Sequence, residues 1–255
     1  MSIFVKQITI GDLLINYHTN GLEGSKTLVF LHGWRSEGAV WLPIVKNLQE
    51  TNSIYCLDLP GFGKSQHPEE AWGVGDYADV VSAFIMKLEL KNAILIGHSF
   101  GGRVAIKLAS RRPEFLEGVV LVDSAGFVDK TLSKQLKRII ARPLHILFKY
   151  KEVKAIRDSI YRWMGAEDYI ATPKLTKTYL KIINEDLSHD MTRINVPVEI
   201  IWGDCDKATP LSLSHRMNKL IFSSKLVILK DAGHFSFLDK PQEFLDVFKN
   251  YLSRL

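Results

Sequence analysis

Ile94-Leu95-Ile96-Gly97-His98-Ser99-Phe100-Gly101-Gly102 is an apolar run of strand length that passes through Gly-x-Ser-x-Gly into a helix-compatible stretch, Gly101–Ser110. A strand that turns directly into a helix leaves little room beside the turn. Gly97 and Gly101 therefore flank a central residue held in a strained backbone. Two things follow for Ser99. Its hydroxyl is lifted out of the sheet toward a ligand. Its backbone also lies at a helix N-terminus, where free amides and the helix dipole favour a developing negative charge. The pentapeptide alone is a weak signal, since a glycine-rich turn that only makes room for packing reads the same way. The strand before it and the helix after it make Ser99 a candidate nucleophile.

Apolar runs alternate with helical patterns on both sides of this segment. Phe4–Ile10 and Leu13–His18 flank a Gly11-Asp12 turn and read as a hairpin. Thr27–Leu31, Ser53–Leu59, Asn92–Gly97, Gly118–Val122, Val196–Trp202 and Leu226–Leu229 read as further strands. Trp41, Ile44, Val45 and Leu48 recur at helical spacing, and Asp76–Leu88 carries Tyr77, Val80, Val81, Phe84 and Leu88 on one helical face. Pro210 is placed to open a helix, and Pro241 opens a final one whose Phe244, Leu245, Phe248 and Leu252 share a face. Continuous apolar strands separated by helices predict an α/β fold. The sheet is expected to be mostly parallel, doubly wound and eight-stranded, with right-handed crossovers and an antiparallel hairpin at its start.

From about Phe127 to Asp190 the alternation stops, and only helical stripes are visible. Leu132, Leu136, Ile139 and Ile140 form one, Val153, Ile156, Ile160 and Trp163 a second, and Leu175, Tyr179, Ile182 and Ile183 a third. This is far more than a crossover needs. Residues 127–190 are read as a helical cap inserted into a core made of 1–126 and 191–255. The basic surplus sits there: residues 127–193 hold 14 Lys and Arg against 8 Asp and Glu, whereas the whole chain is only +5. A solvated helical surface accounts for that surplus, and attraction of an anionic substrate is the functional alternative.

The chain has 255 residues with 46% apolar and 24% charged, which is ordinary globular usage and argues against disorder. Cys56 and Cys205 are too few for a disulfide framework and lack metal-ligand spacing. They fit a reducing compartment. The first residues have no apolar stretch with a basic flank, so no signal peptide is expected, and no run approaches a membrane span. A cytoplasmic protein with no nucleic-acid partner, metal or organic cofactor is expected.

A serine hydroxyl near neutral pH needs a general base, and the base needs an orienting acid. His234 follows the last strand in Asp231-Ala232-Gly233-His234-Phe235, on a loop at the carboxyl edge of the sheet, where open α/β sheets bind ligands. His189 and His215 have no such context. The acid is expected after Val198-Glu199-Ile200-Ile201-Trp202, where Asp204 and Asp206 compete. Asp123, after Gly118–Val122, is a third candidate. Position alone does not separate them. An acyl intermediate also needs two main-chain donors. One is expected from Phe100, the residue after the nucleophile, and the other from Trp34 in His32-Gly33-Trp34, where Gly33 lets the backbone turn inward. His32 is read as a brace for that loop. A protonated imidazole cannot take a proton, so turnover is expected to fall below a pH of roughly 6–7. A rate flat from about pH 8 to about pH 5 would contradict a histidine base.

Together these segments resemble the α/β-hydrolase fold superfamily over nearly the whole chain. The likeness rests on His32-Gly33-Trp34, Asp58-Leu59-Pro60-Gly61-Phe62-Gly63-Lys64-Ser65, the serine turn, Trp202-Gly203-Asp204-Cys205-Asp206 and Gly233-His234. The family's Trp-Gly-x-x-Asp pattern implies that the acid is Asp206. By the same resemblance Gly61-Phe62-Gly63 is a structural turn and not a phosphate loop. Within the superfamily the chain is similar to small capped carboxylesterases. This implies a serine hydrolase cleaving small-molecule carboxylic esters through an acyl-enzyme, with Leu144, Leu147, Phe148, Trp163, Met164, Tyr179 and Phe235 as candidate pocket residues. Serine at 99 separates it from dehalogenases and epoxide hydrolases of this fold, which carry aspartate there. Two alternatives remain. Hydrolases that split carbon–carbon bonds in vinylogous diketones also keep the serine and use cap arginines, for which Arg138, Arg142, Arg157 and Arg162 are the candidate equivalents, but often place tryptophan where Phe235 stands. Ligand receptors that turn over slowly share the same triad and cap.

Overall fold

The computed structural model describes residues 2–128 and 172–255. Among the described residues, eight strands form one sheet: β1 Phe4–Ile10, β2 Leu13–Thr19, β3 Thr27–Leu31, β4 Ser53–Leu57, β5 Ala93–His98, β6 Leu116–Val122, β7 Val198–Gly203 and β8 Ser224–Leu229. Their order is β1-β2-β4-β3-β5-β6-β7-β8. β1 pairs antiparallel with β2 and β2 antiparallel with β4, and every later pairing is parallel. The α/β class, the strand count and the leading hairpin are as the sequence predicts.

The unbroken apolar runs are explained by burial on both faces. In β3 and β5, Val29, Leu31 and Leu95 point to one core, and Leu28, Phe30, Ile94 and Ile96 to the other. The first core is closed by α1 (Val74–Lys87) and α2 (Phe100–Ala109), through residues such as Tyr77, Phe84 and Val104. The second is closed by Trp41, Ile44, α5 (Ser236–Asp239) and α6 (Pro241–Leu252), through Phe237, Phe244 and Phe248. Each fully buried aliphatic or aromatic side chain contributes roughly 1.5–3 kcal/mol relative to exposure.

Several local expectations shift. Helix α1 starts at Val74, where the Asp76 carboxylate accepts from the Gly73 N–H (2.7 Å), and its buried face runs through Ala78 and Ile85, leaving Val80 and Leu88 only half-buried. Pro241 does open α6, but Tyr251 replaces Leu252 on the buried face. Pro210 does not open a helix. Its carbonyl accepts from Leu213 N–H in a preceding turn, and α4 begins at Ser212 and runs to Leu220. The Gly61-Phe62-Gly63 stretch is a turn, with both glycines at positive φ and the Asp58 carboxylate accepting from Gly38 N–H (2.7 Å), Lys64 N–H (2.9 Å) and Asn16 Nδ2 (2.8 Å).

The described part of the expected insertion contains helices and no strand. α3 (Thr176–Ile183) buries Tyr179 and Ile182 of the third stripe, with Leu175 buried just ahead of it, while Ile183 is only half-buried and Thr178 takes a buried place instead. Arg103 of α2 joins the two sides of the segment: its guanidinium donates to the Phe127 carbonyl (2.7 Å) and to the Glu185 carbonyl (2.8 Å). Burial pushes this guanidinium down to about 10, against Glu185 and Asp186, so it stays cationic at neutral pH. Replacing it by methionine keeps the stem but orphans two carbonyls. Arg103→Met is expected to lower stability by about 2–4 kcal/mol, read as a fall in the urea midpoint. An unchanged midpoint would show that the clamp carries no weight. Among the described residues, no helix is long and apolar enough to cross a membrane.

Candidate active site

The sheet order reverses between β3 and β5: from β3 the chain steps to β4 on one side, then returns to place β5 on the other. Open α/β sheets present a crevice at such a reversal. β3 ends there in His32-Gly33-Trp34, and β5 ends there in Ser99.

Ser99 has φ 51° and ψ −108°, a left-handed backbone that a β-carbon resists. The flanking glycines make it affordable sterically. A Cβ on Gly97 would lie 2.5 Å from the Gly101 carbonyl oxygen, and one on Gly101 would run into the Leu31 carbonyl. Helix α2 starts at Phe100, so its first amides have no acceptor one turn earlier in the helix. The Gly33 loop abuts this turn, since a Cβ on Gly33 would lie 3.3 Å from Ser99 Cβ and 2.8 Å from His98 Nδ1. Trp34, on the Gly33 loop, and Phe100, the first residue of α2, thus meet beside the serine. The Trp34 ring packs edge-on against Phe62 (4.8 Å) and Phe100 (5.3 Å) and lies tilted against Tyr179 (5.2 Å), which builds an aromatic wall there.

His234 Nε2 lies 3.0 Å from Ser99 Oγ, and His234 Nδ1 lies 2.8 Å from Asp206 Oδ2. A carboxylate can only accept, so Nδ1 carries the proton and Nε2 offers its lone pair to the serine hydroxyl. The Asp206 side chain is fully buried and every oxygen has donors. Oδ1 accepts from Ala208 N–H (2.8 Å) and Thr209 N–H (2.9 Å), and Oδ2 also accepts from Thr209 Oγ1 (2.6 Å). Burial alone would raise this carboxyl, but His234 and the Thr209 donors outweigh it and hold it below the usual range. Asp204 is exposed. Asp123 is buried, and its oxygens accept from Gly203 N–H (2.8 Å) and Ser236 N–H (3.0 Å). Burial pushes its carboxyl up to about 7 despite those bonds. Of the three acid candidates, only Asp206 meets the imidazole.

His32 braces its loop as expected: Leu59 N–H donates to its Nε2 (2.9 Å) and its Nδ1–H donates to the Gly33 carbonyl (2.7 Å). Burial lowers it to about 4. Two residues without a part in the sequence reading also shape the site. His98 Nε2–H donates to the His234 carbonyl (2.6 Å), and burial together with the neighbouring His234 lowers His98 to about 3. Thr209 supplies two of the four donors to Asp206. The only sequence signal for Thr209 is its offset of three from an aspartate, the spacing of a side-chain-capped turn. Phe235 is 40% exposed and its ring lies against His98 (4.8 Å) and His234 (5.6 Å) at the rim of the site. Leu144, Leu147, Phe148, Trp163, Met164 and the four candidate arginines lie outside the described residues. Among the described residues, no group of three or more His, Cys, Asp or Glu is arranged to hold a metal ion.

Comparison with known proteins agrees with this architecture. A pimeloyl-[acyl-carrier protein] methyl ester esterase of Aeromonas hydrophila is 28% identical over 247 residues, covering 88% of this chain and 94% of that protein. An uncharacterized hydrolase of Bacillus subtilis is 24% identical, covering 93% of this chain and 94% of that protein. The crystal structure of a membrane phospholipase A, described as a bacterial virulence factor, superposes with a TM-score of 0.79 at 25% identity, covering 98% of this chain and 86% of that one. The family model described as alpha/beta hydrolase fold matches residues 26–241, and the chain belongs to that family.

Proposed function

We propose that this chain is a serine hydrolase that cleaves carboxylic esters through an acyl-enzyme. The observation that carries the reading is the continuous hydrogen-bonded line from Ser99 Oγ through His234 to Asp206, at 3.0 and 2.8 Å. In the first half-reaction, His234 Nε2 takes the Ser99 proton as Oγ attacks the ester carbonyl carbon. Asp206 stabilises the imidazolium. The Trp34 and Phe100 N–H groups receive the oxyanion, each worth about 3–4 kcal/mol of barrier. The tetrahedral intermediate collapses, and His234 hands its proton to the departing alcohol. In the second half-reaction, water gives a proton to His234 and its oxygen attacks the acyl carbon. Ser99 regains its proton as the acid leaves.

The esterase named among the relatives supports the ester class. The aromatic wall of Trp34, Phe62, Phe100 and Tyr179, with Phe235 opposite His98, supports an apolar group beside the scissile bond. Residues 127–190 are proposed as the cap that completes the pocket. The free thiols Cys56 and Cys205 support a reducing, cytoplasmic setting. Hydrolysis of a chain-length series of p-nitrophenyl esters, with labelling by a serine-directed fluorophosphonate, tests the proposal. Labelling and turnover well above one per second are expected for a favoured chain length. An unlabelled protein would end the nucleophile assignment. Tight ligand binding with turnover far below one per second would favour a receptor. Faster cleavage of a vinylogous 1,5-diketone acid than of any ester would favour carbon–carbon hydrolysis.

A further inference from the structure

Asp123 is a buried ionisable group for which the proposed ester chemistry has no use. It follows β6, the strand between those that lead to Ser99 and Asp206, and has a left-handed backbone (φ 44°). Both ring nitrogens of His234 are engaged, one by Asp206 and one by Ser99. Asp123 instead grips two loops. Its Oδ1 accepts from the N–H of Gly203, the last residue of β7 and three residues before Asp206 (2.8 Å). Its Oδ2 accepts from the N–H of Ser236, two residues after His234 (3.0 Å). The two loops also touch directly, through Asp204 N–H to the Leu229 carbonyl (3.1 Å) and Cys205 N–H to the Ala232 carbonyl (2.9 Å). Both of those bonds lie ahead of His234 in the chain. On the far side of His234, Asp123 provides a side-chain link back to the acid loop.

We propose that Asp123 is a positioning residue: one carboxylate that ties the Asp206 loop to the His234 loop and so sets the acid–base distance. The proposal rests on the Ser99–His234–Asp206 reading. It follows from how steeply rate depends on placement, since a misplacement of about 1 Å can cost about 10²-fold. Asn at this position keeps the shape and one acceptor, but turns an amide NH2 toward one of the two backbone donors. That breaks one tether and leaves the other.

The test compares wild type, D123N and S99A on p-nitrophenyl butyrate, with folding checked by circular dichroism. D123N is expected to lower kcat about 10- to 100-fold, or about 1.4–2.7 kcal/mol of barrier, with KM changed less than about threefold. The downfield proton resonance of His234 Nδ1–H should shift or broaden in D123N, which a purely structural role would not produce. A folded D123N with kcat within about twofold of wild type and an unmoved resonance overturns the proposal. A loss as deep as that of an Asp206 variant also overturns it, because Asp123 would then be acting as the acid. If D123N does not fold, Ser236→Pro removes one donor at a helix start that accepts proline, and the same kcat loss is expected. Failure of both variants to fold would assign Asp123 to stability alone. Wild-type turnover in S99A would instead remove the triad reading, and the positioning role with it.

Discussion

Replacing Ser99 by alanine should lower kcat by about 10⁵- to 10⁶-fold, leaving the roughly 10³–10⁴ over water that binding and the oxyanion donors supply. The loss is this large because Ser99 Oγ is the atom that forms the covalent bond and lies 3.0 Å from His234 Nε2, whereas the Thr209 hydroxyl sits on the other side of the ring, 3.4 Å from Nδ1. Alanine meets the same left-handed backbone as serine, so the fold should survive. KM should move little. Active-site labelling should vanish in step with turnover. Mass spectrometry of the fluorophosphonate adduct and steady-state ester hydrolysis check both halves. Retained labelling in the alanine variant would show that the reactive group is elsewhere.

Asp206→Asn should cost about 10⁴-fold in kcat, by inverting the imidazole tautomer. Three donors converge on the Asp206 carboxylate besides His234: the N–H groups of Ala208 and Thr209 and the Thr209 hydroxyl. An amide at this position satisfies the two backbone donors by turning its oxygen toward them. Its NH2 then faces His234 Nδ1, which has to become an acceptor. The ring proton moves to Nε2 and points at Ser99, where a lone pair is needed. Asp204→Asn, on an exposed carboxylate, should leave turnover near wild type. A D206N enzyme keeping more than about a tenth of wild-type kcat would mean that the imidazole is oriented by something else.

The fold was legible because its decisive strands are buried on both faces. Ile94 to Ile96 and Val119 to Val122 cannot alternate with polar residues when each face meets a core. Helix faces were less legible. Val80 and Ile85 are equally apolar, and only the packing of α1 shows which one turns inward. In the site, the serine turn and the histidine loop could be read because glycines mark where the backbone is crowded. The acid could not be read from position alone. Asp206 differs from Asp204 through the turn that brings the Ala208 and Thr209 amides onto its carboxylate, and resemblance, not pattern, pointed to it. His98 is not legible in the sequence, because its ring bonds a main-chain carbonyl 136 residues away, which no local spacing encodes.

The backbone at Ser99 is one that a serine would abandon in a free peptide, at a cost of roughly 1–3 kcal/mol to hold. It persists because the turn is packed closely against the Gly101 and Leu31 carbonyls, an approach that Gly97 and Gly101 allow by lacking a Cβ. Interior packing under β5 therefore keeps the enzyme poised as well as intact. Drift that merely softens that interior would let the hydroxyl settle away from the imidazole while the sheet is still whole. A weakened variant of this chain would then fall idle before it falls apart, and selection would feel such changes as lost chemistry long before lost folding.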